Sequence, residues 1–373
     1  MSESSFNTDF STPSYSKTNP YISKIISKKC LSSVDSTKKT FHISLSIDSS
    51  VHFLPGDSVG IFPQNPINEV ETLLSLLGHH RKEFFEFYEL FKNKNLQLIT
   101  KKSIQYLLSF FSSEDLNVLQ SGLNDETFLK SHDFVSLLSQ FTVASPVDIE
   151  HFASLLAPMA PRFYSIASDN MTHSSQLHLL VATFSYMHHG REVQGLGSSF
   201  LCHHAKEEIT PIPFYIHSGR NFKLPADDTP IIMIGPGTGV APFKSFIENR
   251  FIRGCKKNWL FFGERNRNKD FYYQDLFEFY VKNDFLKLSL AFSRDQDHKV
   301  YVQHLLLDQQ DEFYKWMEEG AILYICGDAK NMAKDVQSAL CTIYQNKEKL
   351  SEEESQDKIK KLRQNHKIIF EVY

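Results

Sequence analysis

A segment in the second half of the chain joins an apolar run to closely spaced glycines. Ile231 to Ile234 indicate a buried strand, and a helix-like segment begins near Phe243. Between them lie Gly235, Gly237, Thr238 and Gly239. Glycines let a backbone approach a pyrophosphate closely, and the N–H groups of a following helix attract negative charge. The spacing predicts a phosphate-binding turn, although a plain tight connection between a strand and a helix would show the same pattern.

Positively charged side chains follow a later apolar strand. Ser293 and Arg294 lie where that strand ends, and Lys299 and Tyr301 come soon after. Guanidinium and ammonium groups supply charge for a phosphate, hydroxyls bind its oxygens, and a ring can stack on adenine. This combination favours a dinucleotide that carries a 2′-phosphate. The alternative is that these residues are solvated charges on a loop.

One acidic residue argues against that preference. Glu264 ends the second strand of this segment, the next strand after the glycines, where folds specific for NAD carry the acid that binds the ribose hydroxyls. Arg265 follows it directly and could offset its charge.

Arg162, Tyr164 and Ser165 combine side chains suited to a flavin. On a strand, Arg162 and Tyr164 share one face, so a cation for a pyrophosphate lies beside a ring that can stack on an isoalloxazine. Ser165 adds a polar group of the kind needed near the flavin nitrogen that receives hydride. The alternative is an ordinary tyrosine buried on a strand.

A second candidate anion site begins at Gly195, where glycines and hydroxyls precede a short helix. Its candidate ligands are Gly195, Gly197, Ser198 and Ser199. Histidine pairs at residues 188–189 and 203–204 have no further ligand at suitable spacing, so no metal site is predicted.

In chain order, these motifs resemble those of the ferredoxin-NADP reductase superfamily and, within it, the diflavin reductases. The resemblance extends over nearly the whole chain from about Tyr15, and includes Cys326-Gly327-Asp328 and the terminal Tyr373. Within that branch, the chain is similar to the flavoproteins of NADPH-dependent sulfite reductases. The resemblance implies an enzyme with FAD and NADPH as cofactors.

The resemblance also implies roles for individual residues. For FAD they are Arg162, Tyr164, Ser165, Gly195, Gly197, Ser198, Ser199 and Tyr373. For NADP they are Gly235, Gly237, Thr238, Gly239, Ser293, Arg294, Lys299, Tyr301, Gln303 and Asp328. The catalytic group is Ser165, Cys326, Glu371 and Tyr373. The family commonly has aspartate where Glu371 stands, and its terminal aromatic stacks on the flavin and must move before hydride transfer.

Composition excludes several classes of protein. The chain has 373 residues, 41% of them apolar and 23% charged, with a formal net charge of −4, which disfavours nucleic acid or an anionic membrane as the main partner. No apolar run approaches the roughly 20 residues of a spanning helix, and no signal peptide is visible. Five cysteines without a CxxC pair indicate a reducing cytoplasm rather than a cluster or zinc site.

Periodicity places these motifs in an α/β multidomain fold. Alternating apolar residues near Phe41 indicate strands, helical periodicity begins near Ile67, and strands return from Arg162. From Ile231 onward strands and helices alternate, which is typical of a doubly wound parallel sheet. With the resemblance, the predicted domains are a disordered tail (1–14), an antiparallel FAD-binding barrel (15–64 and 159–224) interrupted by a helical connecting domain (65–158), and an NADP-binding domain (225–373).

The expected function is transfer of hydride from NADPH to FAD and of electrons to a protein acceptor. By resemblance, the pathway is sulfite reduction for cysteine synthesis, with a haem-bearing sulfite reductase subunit, a flavodoxin or a ferredoxin as acceptor. No flavodoxin-like segment precedes Tyr15, so no FMN is expected in this chain. One alternative is a ferredoxin- or flavodoxin-NADP reductase. Another is a non-catalytic module that senses NADPH.

Overall fold

The structure is a computed structural model. It describes residues 15–373 except 113–115, 117–118, 121, 123–124 and 220. The predicted tail over residues 1–14 lies outside the described residues. The chain forms two compact units. The first comprises the described residues up to Gly60, together with Phe163–Ala182 and Glu207–Tyr373, and the second comprises Ile61–Arg162 and Thr183–Lys206.

Strands and helices are numbered here in chain order. The strands are β1 (Tyr21–Ser23), β2 (Ile25–Cys30), β3 (Thr40–Ser46), β4 (Ser58–Ile61), β5 (Arg162–Ser165), β6 (Gln176–Ala182), β7 (Ser185–His188), β8 (Arg191–Gln194), β9 (Ile212–His217), β10 (Ile231–Ile234), β11 (Asn258–Glu264), β12 (Lys287–Phe292), β13 (Ile322–Gly327) and β14 (Ile368–Val372). The helices are α1 (Ile67–Leu76), α2 (Phe84–Phe91), α3 (Lys101–Leu107), α4 (Glu126–Ser131), α5 (Phe134–Leu138), α6 (Ile149–Leu155), α7 (Leu196–Ser199), α8 (Ala241–Ile252), α9 (Arg267–Asp270), α10 (Gln274–Lys282), α11 (Val302–Asp308), α12 (Gln310–Glu318), α13 (Met332–Glu348) and α14 (Glu352–Gln364). Short 3-10 turns occupy Arg81–Glu83, Leu108–Phe110 and Gly237–Val240, and a π-helix occupies Phe200–His204.

The first unit contains a five-stranded sheet in the order β12-β11-β10-β13-β14, with every neighbouring pair parallel. Alternate side chains of β10 enter two different cores: Ile231 and Met233 join one, and Ile232 and Ile234 join the other. Both faces are therefore buried, which explains the continuous apolar runs in the sequence. The carboxyl ends of these strands meet at one edge, where doubly wound folds bind their ligands.

Helices from the same part of the chain cover both faces of this sheet. The core that contains Ile231 also holds residues of α8 and α10, such as Phe246 and Phe277. The opposite core holds residues of α11 to α14, such as Leu306 and Leu340. The chain thus forms the doubly wound arrangement that its alternation of strands and helices predicts.

Antiparallel pairing joins several other strands of the first unit. β1 pairs with β9, and β3 lies between β2 and β6, in each case antiparallel. β4 and β5 complete a four-stranded sheet in the order β1-β9-β4-β5. Antiparallel and parallel sheets occur in one chain, and the predicted α/β multidomain fold class is confirmed.

Helices α1 to α6 of the second unit surround a core of its own, which includes Leu74, Phe91 and Phe152. Helix starts here are capped: the Thr100 hydroxyl accepts from the Ser103 N–H, and an Asp133 oxygen accepts from the Ser136 N–H. The unit also includes the β7–β8 hairpin and the helical residues that follow it. In the described part of the chain, no helix combines the length and the apolar character needed to cross a membrane.

Candidate active site

The glycine turn follows β10 directly. After Ile234 the chain makes the 3-10 turn and then enters α8, so the helix starts two residues before the predicted position. A Cβ atom on Gly239 would lie 2.1 Å from the carbonyl oxygen of Cys326, so only glycine lets this turn pack against β13. Gly237 has a φ of +59°, a left-handed conformation that favours glycine. The turn therefore packs closely against β13 at Gly239, while its backbone at Gly237 lies on the other, open side.

A cleft of about 540 Å³ lies at the carboxyl edge of the parallel sheet, within the first unit. Seven of the residues predicted for NADP line it: Gly237, Ser293, Arg294, Lys299, Tyr301, Gln303 and Asp328. The other three, Gly235, Thr238 and Gly239, belong to the turn beside it but do not line it. Segments nearly a hundred residues apart in the chain are thus brought to one cavity.

Two cations of the cleft lack partners in the described part of the chain. The Arg294 guanidinium and the Lys299 ammonium form no side-chain hydrogen bond or ion pair within the described residues, and both side chains are exposed. Ser293 and Gln303 beside them do have partners, since Ser293 Oγ donates to the Glu264 carbonyl at 3.3 Å and Gln303 Nε2 donates to Asp335 at 3.1 Å. A phosphate would supply the negative charge that the two cations lack.

Asp328 shapes the loop between β13 and α13. Its carboxylate accepts from the backbone N–H groups of Lys330 and Asn331, at 3.1 and 2.9 Å. Burial acts to raise the pKa of Asp328, but these hydrogen bonds outweigh it and hold that pKa below its ordinary value. The residue is therefore an ionised carboxylate that fixes one wall of the cleft.

Ser165, Cys326 and Glu371 come together in the first unit. Ser165 Oγ donates to Glu371 Oε1 at 3.5 Å, and Cys326 on β13 is the register partner of Glu371 on β14. Burial raises the pKa of Glu371 to about 7, although the Ser165 hydrogen bond opposes the rise. Burial raises the pKa of the Cys326 thiol, and the carboxylate of Glu371 raises it further. The group thus holds a neutral thiol beside a carboxyl that changes charge near pH 7.

Tyr373 ends the chain beside the glycine turn. Its hydroxyl lies 2.9 Å from Thr238 Oγ1, its N–H donates to the Gly327 carbonyl, and its own carbonyl accepts from the Ala329 N–H. The residue as a whole is nevertheless 64% exposed. Backbone bonds therefore fix the last residue, while its ring stays accessible from solvent.

The predicted flavin residues fall in both units of the chain. Tyr164 and Ser165, both half-buried, belong to the first unit, and Arg162, which donates to the Ala160 carbonyl at 2.9 Å, belongs to the second. Phe163, which lies between Arg162 and Tyr164, is exposed. Arg162 and Tyr164 therefore share the less exposed side of β5, as the strand period predicts.

The predicted phosphate ligands after β8 also belong to the second unit. Gly195 precedes α7, and Ser198 Oγ donates back to its carbonyl at 3.0 Å. Ser199 Oγ donates to Gln194 Oε1 at 2.7 Å and lies 2.9 Å from His204 Nε2. A Cβ atom on Gly195 would lie 2.3 Å from the Phe184 ring, so this glycine lets the hairpin fold closely against the helix start.

The residues present fit the two predicted cofactors. Two unpaired cations beside an open glycine turn suit a dinucleotide that carries a 2′-phosphate. Oε2 of Glu371 is buried and has no hydrogen-bond partner among the described residues. A bound molecule beside the Ser165 group could supply the polar atom that Oε2 needs as a partner. A flavin next to an accessible tyrosine would supply polar atoms of that kind.

Sequence reasoning missed several residues that line the cleft, among them Lys38, Asn331 and Asp335. Lys38 lies in the loop between β2 and β3, and its ammonium pairs with Glu264. No spacing in the sequence relates these two residues, because they are 226 positions apart. Asn331 and Asp335 could have been found from their positions just after the Cys326-Gly327-Asp328 motif.

No group of three or more histidine, cysteine or acidic residues suited to a metal ion occurs among the described residues. A histidine of one such pair contacts α4 instead: His189 Nε2 lies 2.7 Å from the Ser131 carbonyl oxygen, and the His189 ring stacks on His132.

Two protein-family models match the chain. A FAD binding domain matches in two overlapping stretches, residues 13–112 and 96–200, which together cover half of the chain. An oxidoreductase NAD-binding domain matches residues 233–338. The second match contains the glycine turn, the two unpaired cations and Cys326.

Curated relatives agree with these matches. The chain is 35% identical to the sulfite reductase [NADPH] flavoprotein alpha-component of Bacillus subtilis, over 96% of this chain and 62% of the relative. It is 37% identical to the protein of that name from Vibrio cholerae strain O395, over 96% of this chain and 60% of the relative. The chain thus spans about three-fifths of the length of these relatives. With a FAD binding domain over half its length and an NAD-binding domain after it, the chain belongs to the family of FAD-dependent oxidoreductases that use a nicotinamide dinucleotide.

Proposed function

We propose that this chain is an NADPH-dependent flavoprotein reductase that accepts hydride from NADPH on FAD and passes electrons to a protein acceptor. The observation that carries this proposal is the pair of unpartnered cations, Arg294 and Lys299, beside an open glycine turn. The Ser165, Cys326 and Glu371 group adds reacting side chains in the same unit.

The nucleotide is bound mainly through its phosphates. The turn from Gly235 to Gly239, with the Thr238 hydroxyl, holds the pyrophosphate of NADPH, and Arg294 and Lys299 hold its 2′-phosphate. Ser293, Tyr301 and Gln303 complete that cage, and Asp328 fixes the loop that closes it. These phosphate contacts lie far from the reacting atoms. The binding energy that they supply positions the nicotinamide for the reaction.

Bound FAD supplies the redox chemistry, because a flavin takes two electrons as hydride and can release them singly. Arg162, Gly195, Gly197, Ser198 and Ser199 are the proposed ligands of its pyrophosphate. Tyr164 and Tyr373 are the proposed aromatic contacts of its ring. Tyr373 must leave the ring before nicotinamide can approach, and its exposed side chain allows that movement.

The Ser165 group positions the reaction and controls a proton. The Ser165 hydroxyl donates to Glu371, and the buried Cys326 remains a thiol because its pKa is raised. Glu371, whose pKa is raised to about 7, changes between a proton donor and an acceptor near neutral pH. This carboxyl reaches Ser165 although it is one methylene longer than the aspartate common in the resembled family.

The names of the relatives support a proposal for the acceptor and the pathway. Because they are called flavoprotein components of NADPH sulfite reductase, we propose electron delivery to a haem-bearing sulfite reductase subunit or to a flavodoxin or ferredoxin. Sulfite reduction in the cytoplasm would then serve cysteine synthesis. The domain boundaries proposed with this function are 15–64 and 159–224 for FAD, 65–158 for the connecting domain and 225–373 for NADP.

The experiment that tests this proposal measures flavin content and reduction together. Flavin is extracted and identified, and the holoprotein is titrated anaerobically with NADPH and, separately, with NADH while its absorbance is recorded. FAD bleached preferentially by NADPH is the expected result. Protein that takes up no FAD, or FAD that neither nucleotide reduces, would contradict it and favour a nucleotide-sensing module. Electron flow only from reduced ferredoxin or flavodoxin toward NADP+ would favour a ferredoxin- or flavodoxin-NADP reductase.

A further inference from the structure

The carboxylate of Glu264 has three partners at the wall of the nucleotide cleft. Oε1 pairs with the Lys38 ammonium and accepts from the Tyr272 hydroxyl at 3.2 Å, and Oε2 accepts from the Arg265 N–H at 2.8 Å. The Glu264 side chain is only 5% exposed and that of Lys38 is 23% exposed. This acid is therefore neutralised at a place where water screens charges poorly.

The loop that carries Lys38 is fixed at the same edge of the sheet. Ser36 Oγ donates to Asp270 Oδ1 at 2.6 Å, and the Ser33 N–H donates to the Lys269 carbonyl at 2.9 Å. Thr37 Oγ1 accepts from the Arg265 guanidinium at 2.7 Å. These three hydrogen bonds hold the loop at the end of β11. They place Thr37, and next to it the Lys38 ammonium, at that position.

An acid at the end of the second strand normally selects against a 2′-phosphate. In dinucleotide-binding folds it accepts hydrogen bonds from the ribose hydroxyls of NAD, and its charge repels a phosphate at that place. Here Glu264 Oε1 already pairs with the Lys38 ammonium and accepts from the Tyr272 hydroxyl, so the charge of this acid is offset by a protein cation. Arg265, the cation that the sequence suggested for this task, is directed to Thr37 instead.

We propose that Lys38 is a positioning residue for nucleotide choice, which pairs with Glu264 and so removes the acid that would reject a 2′-phosphate. This inference rests on the proposed use of NADPH. It adds a residue that determines nucleotide choice and lies outside the proposed NADP-binding domain. Lys38 Nζ would lie 3.3 Å from a Cβ atom on Gly237, so a direct contact with the 5′-phosphates is the competing role for this cation.

The test compares two nucleotides that differ only in the 2′-phosphate. Binding of adenosine 2′,5′-bisphosphate and of adenosine 5′-monophosphate to the flavin-loaded protein is measured by isothermal titration calorimetry. Lys38→Met removes the cation that pairs with Glu264, so affinity for the bisphosphate should fall about tenfold or more, while that for the monophosphate stays within about twofold. Equal loss for both nucleotides, or no loss for either, would overturn the proposal.

Further variants separate charge from loop structure. Adding Glu264→Gln to Lys38→Met should restore most of the lost bisphosphate affinity, since the unpaired acid is then gone. Lys38→Arg should bind like the parent, and Lys39→Met is the matched control because that neighbouring ammonium donates to the Ser33 and Val34 carbonyls. A double variant as weak as Lys38→Met, or an equal effect of Lys39→Met, would contradict the assignment.

Two outcomes keep this inference distinct from the proposed function. A parent protein that binds neither nucleotide would contradict both. If Lys38→Met fails to fold, Glu264→Gln alone decides the matter, because it frees the Lys38 cation and should leave bisphosphate binding as tight as in the parent or tighter. Weaker bisphosphate binding by Glu264→Gln would overturn the inference while leaving NADPH as the proposed donor.

Discussion

At the scale of single residues, Arg294 is the clearest test of nucleotide choice. Its guanidinium is unpaired in the cleft, so a phosphate would be its partner, and a charge-assisted hydrogen bond of that type contributes about 1.5–3 kcal/mol. Arg294→Ala should therefore lower kcat/KM for NADPH by about ten- to a hundredfold and leave kcat/KM for NADH nearly unchanged. Steady-state rates with both nucleotides measure this, and Arg294→Lys should lose less. Equal losses with NADPH and NADH would mean that Arg294 does not contact the 2′-phosphate.

Glu371 gives a prediction about pH. Its pKa is raised to about 7 in the folded protein, so between its ordinary pKa and pH 7 the folded state binds more protons than the unfolded state. The contribution of Glu371 to the free energy of unfolding therefore falls as pH rises through this window, by about 3 kcal/mol at most. Glu371→Gln should remove that fall, so the variant gains stability relative to the parent as pH rises.

Denaturant unfolding of the parent and of Glu371→Gln at pH 5, 6, 7 and 8 measures this difference. Glu353→Gln is the control, because Glu353 is an exposed carboxylate in the first turn of α14. A difference between parent and Glu371→Gln that stays constant over this range would show that Glu371 titrates at its ordinary value.

At the scale of elements, the glycine turn tests how closely α8 must approach β13. The Cβ atom of Gly239→Ala would lie 2.1 Å from the Cys326 carbonyl oxygen, a distance that requires backbone movement. Gly254→Ala is the control at the other end of α8: Gly254 follows the helix, has a φ of +74°, and a Cβ atom there would meet nothing within 4 Å. We expect Gly239→Ala to lower the free energy of unfolding by more than about 3 kcal/mol and Gly254→Ala by about 1 kcal/mol. Similar losses in chemical denaturation would contradict the packing role of Gly239.

The elements themselves follow local signals closely. β10 coincides with the apolar run from Ile231 to Ile234 that predicts it, because both faces of the sheet are buried there and no polar position interrupts the run. The hairpin of β7 and β8 shows another local rule, since His189 and Gly190 in its turn both have positive φ. In contrast, the contact between Arg191 of this hairpin and Asp133 at the start of α5, at 2.7 Å, joins residues 58 positions apart. No local pattern predicts that pair.

At the scale of the whole molecule, the two units have separate hydrophobic cores. Leu74 is fully buried in the core of the second unit and Leu340 in a core of the first. Removing either side chain leaves a cavity that costs about 2–5 kcal/mol. We expect Leu74→Ala and Leu340→Ala each to lower a different thermal transition, because each core stabilises its own unit. Differential scanning calorimetry decides this: one shared transition that both variants lower equally would show that the units unfold together.

The sequence by itself determined those features of the protein that depend on residues close together in the chain. Glycine spacing, strand ends and the cations after β12 identified seven of the residues that line the cleft, because backbone conformation and the side-chain period are local properties. The tertiary structure alone decided which distant groups meet. Lys38 reaches Glu264, Ser165 reaches Glu371, and burial raises the pKa of that carboxyl to about 7. Charge pairing and burial depend on packing between segments 200 or more residues apart, and no spacing in the sequence specifies them.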